Sequence, residues 1–204
     1  MDQLDQQLAF VSEIGKLKGV LRQTRLAELD RAENSAEHSW HLALAVLALR
    51  DQAPAGTDIN RVIAMVLIHD LVEIDAGDLF LYAKPEEHAR QEQAERAAAD
   101  RIFAILPAGQ GAAMRALWDE FNERRSPEAR FARAIDRLQP MLENFEANGG
   151  TWLRHGVTAD QVLEKVALIE DGSPTLGEYA RGLVRRAVST GFLAPARDES
   201  GKED

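Results

Sequence analysis

The sequence predicts a single all-α domain of about seven to nine helices, and three observations carry that reading. Apolar residues recur at steps of three and four over most of the chain, no stretch shows convincing strand alternation, and Pro, Gly and Asn/Asp signals punctuate the periodic segments. No internal repeat is present. With 204 residues the chain can bury roughly 70% of its unfolded surface. It therefore needs no disulfide or metal to hold its core.

Leu4, Leu8, Val11, Ile14, Leu17 and Leu21 mark a first amphipathic helix, which gives way to the polar connection "RQTRLAELDRAEN". Asn34 stands three residues before Glu37, a capping-box pair that starts the next helix near Ser35. Its body, "WHLALAVLALR", is apolar nearly all round and is expected to be central and buried. Pro54, Gly56 and the cap Asp58 then precede a second apolar helix, "INRVIAMVLIHDL". From Pro85 to Leu106 the chain is rich in Ala, Glu, Arg and Gln, a strong helix former stopped by Pro107. Met114, Leu117 and Phe121 mark a shorter helix. Phe131, Ile135, Leu138, Leu142 and Phe145 line another, which closes at "NGG" with Asp136 just off the stripe. Two more helices are expected near Thr158–Ile169 and Ser173–Thr190. The domain reads as residues 1–192, with 193–204 a polar, loose tail.

Composition narrows the function. The formal net charge of −10 argues against a broad surface for a nucleic-acid polymer, which would need clustered Lys and Arg. The acidic N-terminus lacks a signal-peptide pattern, and the longest apolar runs are too short to span a bilayer. With no cysteine, thiolate metal sites and a cysteine nucleophile are excluded. A cytoplasmic protein with no membrane partner is the expectation.

Against this background "VLIHDLVEIDAGD" stands out: a buried-helix pattern runs into His69 and Asp70, and Glu73, Asp75 and Asp78 follow. His38 opens the earlier apolar helix and Asp136 lies on the later one. Imidazole nitrogen and carboxylate oxygen together suit a borderline divalent cation. Taken singly, each has a blander reading: a hydrogen-bonded core histidine, a solvated flanking carboxylate, a helix-end charge.

"ENSAEHSWH", "LIHDLVEIDAGD" and "FARAIDRLQP", in that order, resemble the signature of the HD-domain superfamily of metal-dependent phosphohydrolases. The resemblance spans roughly Leu8 to Ala187 and implies a single HD-type helical bundle. It implies one divalent metal (Mn, Co, Fe, Zn, Ni or Mg) held by His38, His69, Asp70 and Asp136. Between Asp70 and Asp136 only His88 is available as a further histidine, which favours one metal over two. Within the superfamily the chain is most similar to the 5'-deoxynucleotidases. That similarity implies functional roles for Glu73 and Asp78 and, aligning on Leu17-Lys18, a phosphate contact for Arg22, with Arg25 and Arg31 as nearby competitors. Gln23 stands where those relatives have Trp.

The implied chemistry is hydrolysis of a (deoxy)nucleoside 5'-monophosphate. A divalent cation lowers the pKa of a water it binds and neutralises a phosphoryl oxygen. Glu73 would orient or deprotonate that water, Asp78 would act as general acid or base, and Arg22 would clamp the phosphate. His41 reads as packing or second-rank support, Glu37 as a cap, and Asp75 as a helix-end charge. Two alternatives remain open: a hydrolase of nucleoside triphosphates or alarmone-type pyrophosphate esters, and a silent sensor in which the metal is a staple. Apolar helix faces, with the resemblance, imply a homodimer.

Overall fold

A computed structural model describes residues 2–26, 29 and 31–197 of the chain. Its α-helices are α1 (Gln3–Ile14), α2 (Ser35–Leu49), α3 (Ile59–Ile68), α4 (Glu73–Ala76), α5 (Pro85–Phe103), α6 (Ala108–Glu123), α7 (Pro127–Glu146), α8 (Gly150–His155), α9 (Ala159–Gly172) and α10 (Pro174–Ser189). Strands β1 (Leu21–Arg25) and β2 (Ala32–Asn34) form a small antiparallel ladder with an irregular register. The all-α fold follows the sequence pattern. Among the described residues, no helix is long and apolar enough to cross a membrane.

Local chemistry sets the helix ends. Asn34 caps α2 by accepting from the amides of Ala36 and Glu37, while Glu37 closes the reciprocal bond to the Asn34 amide. Asp58 caps α3 by accepting from the amides of Asn60 and Arg61, while its own amide donates to Glu128. Helix α7 is the central element. Its apolar face buries Phe131, Ile135 and Leu138, and each such side chain contributes about 1.5–3 kcal/mol of hydrophobic stabilisation. Gly172 lets α9 lie close on α7, since a Cβ there would collide with the Arg130 carbonyl oxygen.

Two apolar clusters make the core. One joins α2, α3, α7, α9 and α10; the other joins α1, α4, α5 and α6 with the turns between them. The chain passes from the first to the second where α3 ends, at His69 and Asp70. That seam positions the site.

Several expectations are corrected. The stripe Leu4, Leu8 and Val11 faces solvent, and α1 docks through Phe10 instead. Helix α2 is not buried all round: His38, Leu42 and Val46 face the core, whereas Trp40, Leu44 and Leu47 are exposed. The connection 22–34 contains the β1–β2 ladder. The expected tail contains an anchored start, because Leu193 is buried and the Ala194 carbonyl accepts from the Ala159 amide at 2.9 Å. Residues 198–204 lie outside the described residues.

Candidate metal centre

Helix α3 ends with the His69 amide still donating to Met65, after which the bonds shorten in sequence span: Leu71 to Ile68, Glu73 to Asp70, Ile74 to Leu71. The α-helix therefore does not continue through Glu73. Three-residue turns nevertheless place residues i and i+3 on one side, so Glu73 comes round above Asp70. Gly77, with φ of 73°, then turns the chain so that Asp78 faces β1.

His69 Nδ1 lies 2.9 Å from the Val66 carbonyl, which can only accept, so Nδ1 carries a proton. Its buried Nε2 makes no hydrogen bond. That atom lies 3.0 Å from Asp70 Oδ1 and 3.6 Å from Asp136 Oδ1. His38 is fully buried, with Nδ1 3.1 Å from Gln139 Oε1 and Nε2 3.2 Å from Asp136 Oδ1. Ligand atoms of His38, His69 and Asp136 all fall within 4.8 Å of one another. Two ligands about 2.1 Å from a tetrahedral ion stand about 3.4 Å apart, close to the spacing seen here. Buried imidazole nitrogens that converge with carboxylate oxygens suit a shared cation. The residues fit one.

Asp70 stands beside this trio. One oxygen faces His69, and the other accepts from Arg22 Nη1 at 3.0 Å. Arg22 is committed further, with Nε 3.3 Å from Glu33 and Nη1 3.7 Å from Asp78. Arg31 pairs with Glu37. Glu73 is buried and accepts from Ser35 Oγ at 2.6 Å, while Asp78 accepts from the Gln23 amide at 3.3 Å.

The electrostatics divide the carboxylates. Burial, then the charge of Asp70, pushes Glu73 well above the usual range. Burial also lifts Asp78 to about 6 against the pull of Arg22, and Glu33 to about 7. Asp70 and Asp136 move the other way: burial opposes their charge, but His69 next to Asp70 and Arg137 next to Asp136 outweigh it. Burial pulls His38 down to about 4. For His69 burial acts downward too, yet Asp70 and Asp136 prevail and lift it to about 10.

Sequence reasoning missed Gln139, Glu33, Ser35, Arg133 and Arg137. The Gln139 amide nitrogen lies 3.1 Å from His41 Nδ1, 3.4 Å from Glu33 and 3.3 Å from Glu143. It thereby fills the centre of a second His/carboxylate group and links His41 to His38. Arg133, pulled down to about 9 by burial and by Arg137, donates to Asp136 Oδ2 at 3.1 Å. "RAIDRLQ" held Arg133, Arg137 and Gln139, and "ENS" held Glu33 and Ser35, but only packing shows which way they face. The site opens into a cavity of about 660 Å³ bordered by Arg22, Asp70, Glu73, Asp78, Arg133 and Asp136. Small-molecule sites span roughly 300–1,000 Å³.

The pattern of the HD domain family matches residues 14–176. The chain belongs to the HD-domain family. Its HD domain is that of a metal-dependent hydrolase enzyme, consistent with the donor set above. A crystal structure of a predicted metal-dependent phosphohydrolase from Magnetospirillum magnetotacticum MS-1 is 51% identical, with a TM-score of 0.89 over 95% of this chain and 99% of that one. The PH0347 protein of Pyrococcus horikoshii OT3, 22% identical with a TM-score of 0.64, covers 87% of this chain and 98% of its own and shares the fold. The 5'-deoxynucleotidase HDDC2 of Mus musculus is 27% identical over 143 residues, 68% of each chain. The Saccharomyces cerevisiae 5'-deoxynucleotidase YGK1 is 26% identical over 147 residues, covering 69% of this HD chain and 66% of its own.

Proposed function

We propose that this HD-domain protein hydrolyses the phosphomonoester of (deoxy)nucleoside 5'-monophosphates. The observation that carries the reading is the pairing of two kinds of carboxylate on one cavity. Asp70 and Asp136 are held ionised beside two inward-facing imidazoles, while Glu73 and Asp78 are pushed toward holding a proton. A metal staple needs only the first kind; proton transfer needs the second. The similarity to the 5'-deoxynucleotidases supports a nucleoside monophosphate.

His38, His69, Asp70 and Asp136 would hold one divalent cation, of the Mn, Co, Fe, Zn, Ni or Mg group. When bound it supplies a polarised water and charge neutralisation at the phosphoryl group. Glu73, fixed by Ser35, orients water and holds a proton. Asp78, at the cavity edge beside β1, exchanges a proton with the reacting oxygens. Arg22 keeps Asp70 and Asp78 in place at the cavity wall. The exposed apolar side chains Trp40, Leu44 and Leu47 on one face of α2 support a homodimer.

The test is phosphate release from ribo- and deoxynucleoside mono-, di- and triphosphates, with Mn, Co, Mg and Zn supplied separately. Turnover of monophosphates above di- and triphosphates is expected. Exclusive use of triphosphates, or no release from any nucleotide, would overturn the reading.

A further inference from the structure

Helix α7 carries Arg133 three residues before Asp136 and Arg137 one after it. Helix α6 ends on Arg124, whose φ of 56° turns the chain sharply there. Arg133 is 7% exposed; its guanidinium lies 4.2 Å over the Phe121 ring and Nη1 reaches Asp136 Oδ2, yet Nε is buried without a hydrogen-bond partner. Arg137 Nη1 stands 3.7 Å from the same oxygen, and its Nε is likewise buried and unpartnered. Arg124 is exposed at the edge of the same cavity. Among the described residues no carboxylate comes within 4.0 Å of it, and Asp136 is the one carboxylate within that reach of Arg133 and Arg137. Glu92 and Glu95 of α5 face the group from farther away, and Glu92 pairs with Arg96.

The two sides of the cavity are therefore charged oppositely. Arg22 is surrounded by Glu33, Asp70, Glu73 and Asp78, of which Asp70 and Asp78 carry most of the negative charge at pH 7 and together outweigh the one guanidinium. Across the metal ligands, Arg133 and Arg137 share Asp136, Arg124 has no carboxylate within 4.0 Å among the described residues, and a cation bound there would claim Asp136 too. A phosphoryl dianion entering the cavity is repelled by the first side and drawn to the second. Guanidinium forks match phosphoryl oxygens in geometry as well as charge, and two buried N–H groups still lack acceptors.

We propose that Arg133, Arg137 and Arg124 form an anion wall that receives the substrate's phosphoryl group. Arg22 then serves mainly to order the acidic side. This rests on the phosphohydrolase reading above for its substrate, though not for its ligand, which is phosphate.

The test uses the metal-loaded full chain with Arg137→Gln, Arg124→Gln and the double variant; Arg133 is left intact because its burial makes loss of fold the expected result. Inorganic phosphate binding is measured by calorimetry, metal content by mass spectrometry, and KM and kcat on the best monophosphate. The expected result is a tenfold or larger loss of phosphate affinity in each single variant, more in the double, with metal content unchanged and KM rising in parallel. Wild-type phosphate affinity in the double variant would overturn the wall. So would failure of the metal-loaded wild-type protein to bind millimolar phosphate. If phosphate binding depends on the arginines while no nucleotide is hydrolysed, the wall stands and the nucleotidase reading falls.

Discussion

Gln139 Oε1 lies 3.1 Å from His38 Nδ1, and this one contact sets the tautomer of a buried imidazole. With Nδ1–H donated to the amide oxygen, the Nε2 lone pair faces Asp136. Replacing Gln139 with Leu frees the ring and leaves the buried Nδ1–H no acceptor nearer than Glu33 Oε2 at 3.6 Å. Partners behind a ligating histidine typically account for 10–100-fold in metal affinity. The Gln139→Leu variant should therefore bind metal about 10–100-fold more weakly in a chelator competition, while Gln139→Glu, which retains the acceptor, should recover part of the loss.

The proton on His69 gives a second outcome. In the cation-free site at pH 7, His69 is held protonated by Asp70 and Asp136, His38 is neutral, and both aspartates are ionised. A cation must displace that proton, so metal affinity should rise with pH. Calorimetric titration of the stripped protein with metal in buffers of different ionisation enthalpy should report release of about one proton at neutral pH. Release of none would show that His69 starts neutral. His69→Gln should lose both the release and the thermal stabilisation that metal confers.

Local signals were legible in the sequence, and long-range ones were legible only as types of residue. The Asn34–Glu37 cap and the stripe from Phe131 to Phe145 follow from neighbours three or four residues apart, and both appear as read. Periodicity cannot show short elements, so the four-residue α4, the six-residue α8 and the β1–β2 ladder had no signal. It also cannot tell a buried apolar face from an exposed one, which is why Leu4, Leu8, Val11 and Trp40 were misplaced. Site residues recognised by motif do gather at the seam. What surrounds them depends on packing rather than on local pattern: Glu33 reaches Arg22 across the β1–β2 turn, and Gln139 sits between two histidines about a hundred positions away.

Glu33 should make stability fall with rising pH. Burial lifts it from an ordinary 4.5 to about 7, so between those values the folded chain holds a proton that the unfolded chain has released. Stability from this group is complete below pH 4.5 and is lost as pH rises through about 7; the full shift corresponds to roughly 3 kcal/mol. Urea unfolding of the metal-free protein between pH 5 and pH 8 should show this decline, and Glu33→Gln should flatten it. An equal slope in the variant would assign the decline to Glu73, Asp78 and His69 instead.

Glu73 and Asp78 separate an enzyme from a stapled sensor, because neither belongs to the ligand trio. At pH 7 Asp78, lifted by burial to about 6, is mostly ionised, whereas burial and the charge of Asp70 push Glu73 toward its protonated form. One then accepts and the other donates. Turnover should rise with pH through about 6 as Asp78 ionises, and Asp78→Asn should remove that limb of the profile. General acid–base groups typically contribute 10²–10⁴-fold, so Glu73→Gln and Asp78→Asn should each lower kcat by about a hundredfold or more. Both variants should keep their metal, since His38, His69 and Asp136 are untouched. Loss of metal in either one would move that carboxylate into the ligand set. Unchanged turnover with metal retained would remove it from the chemistry.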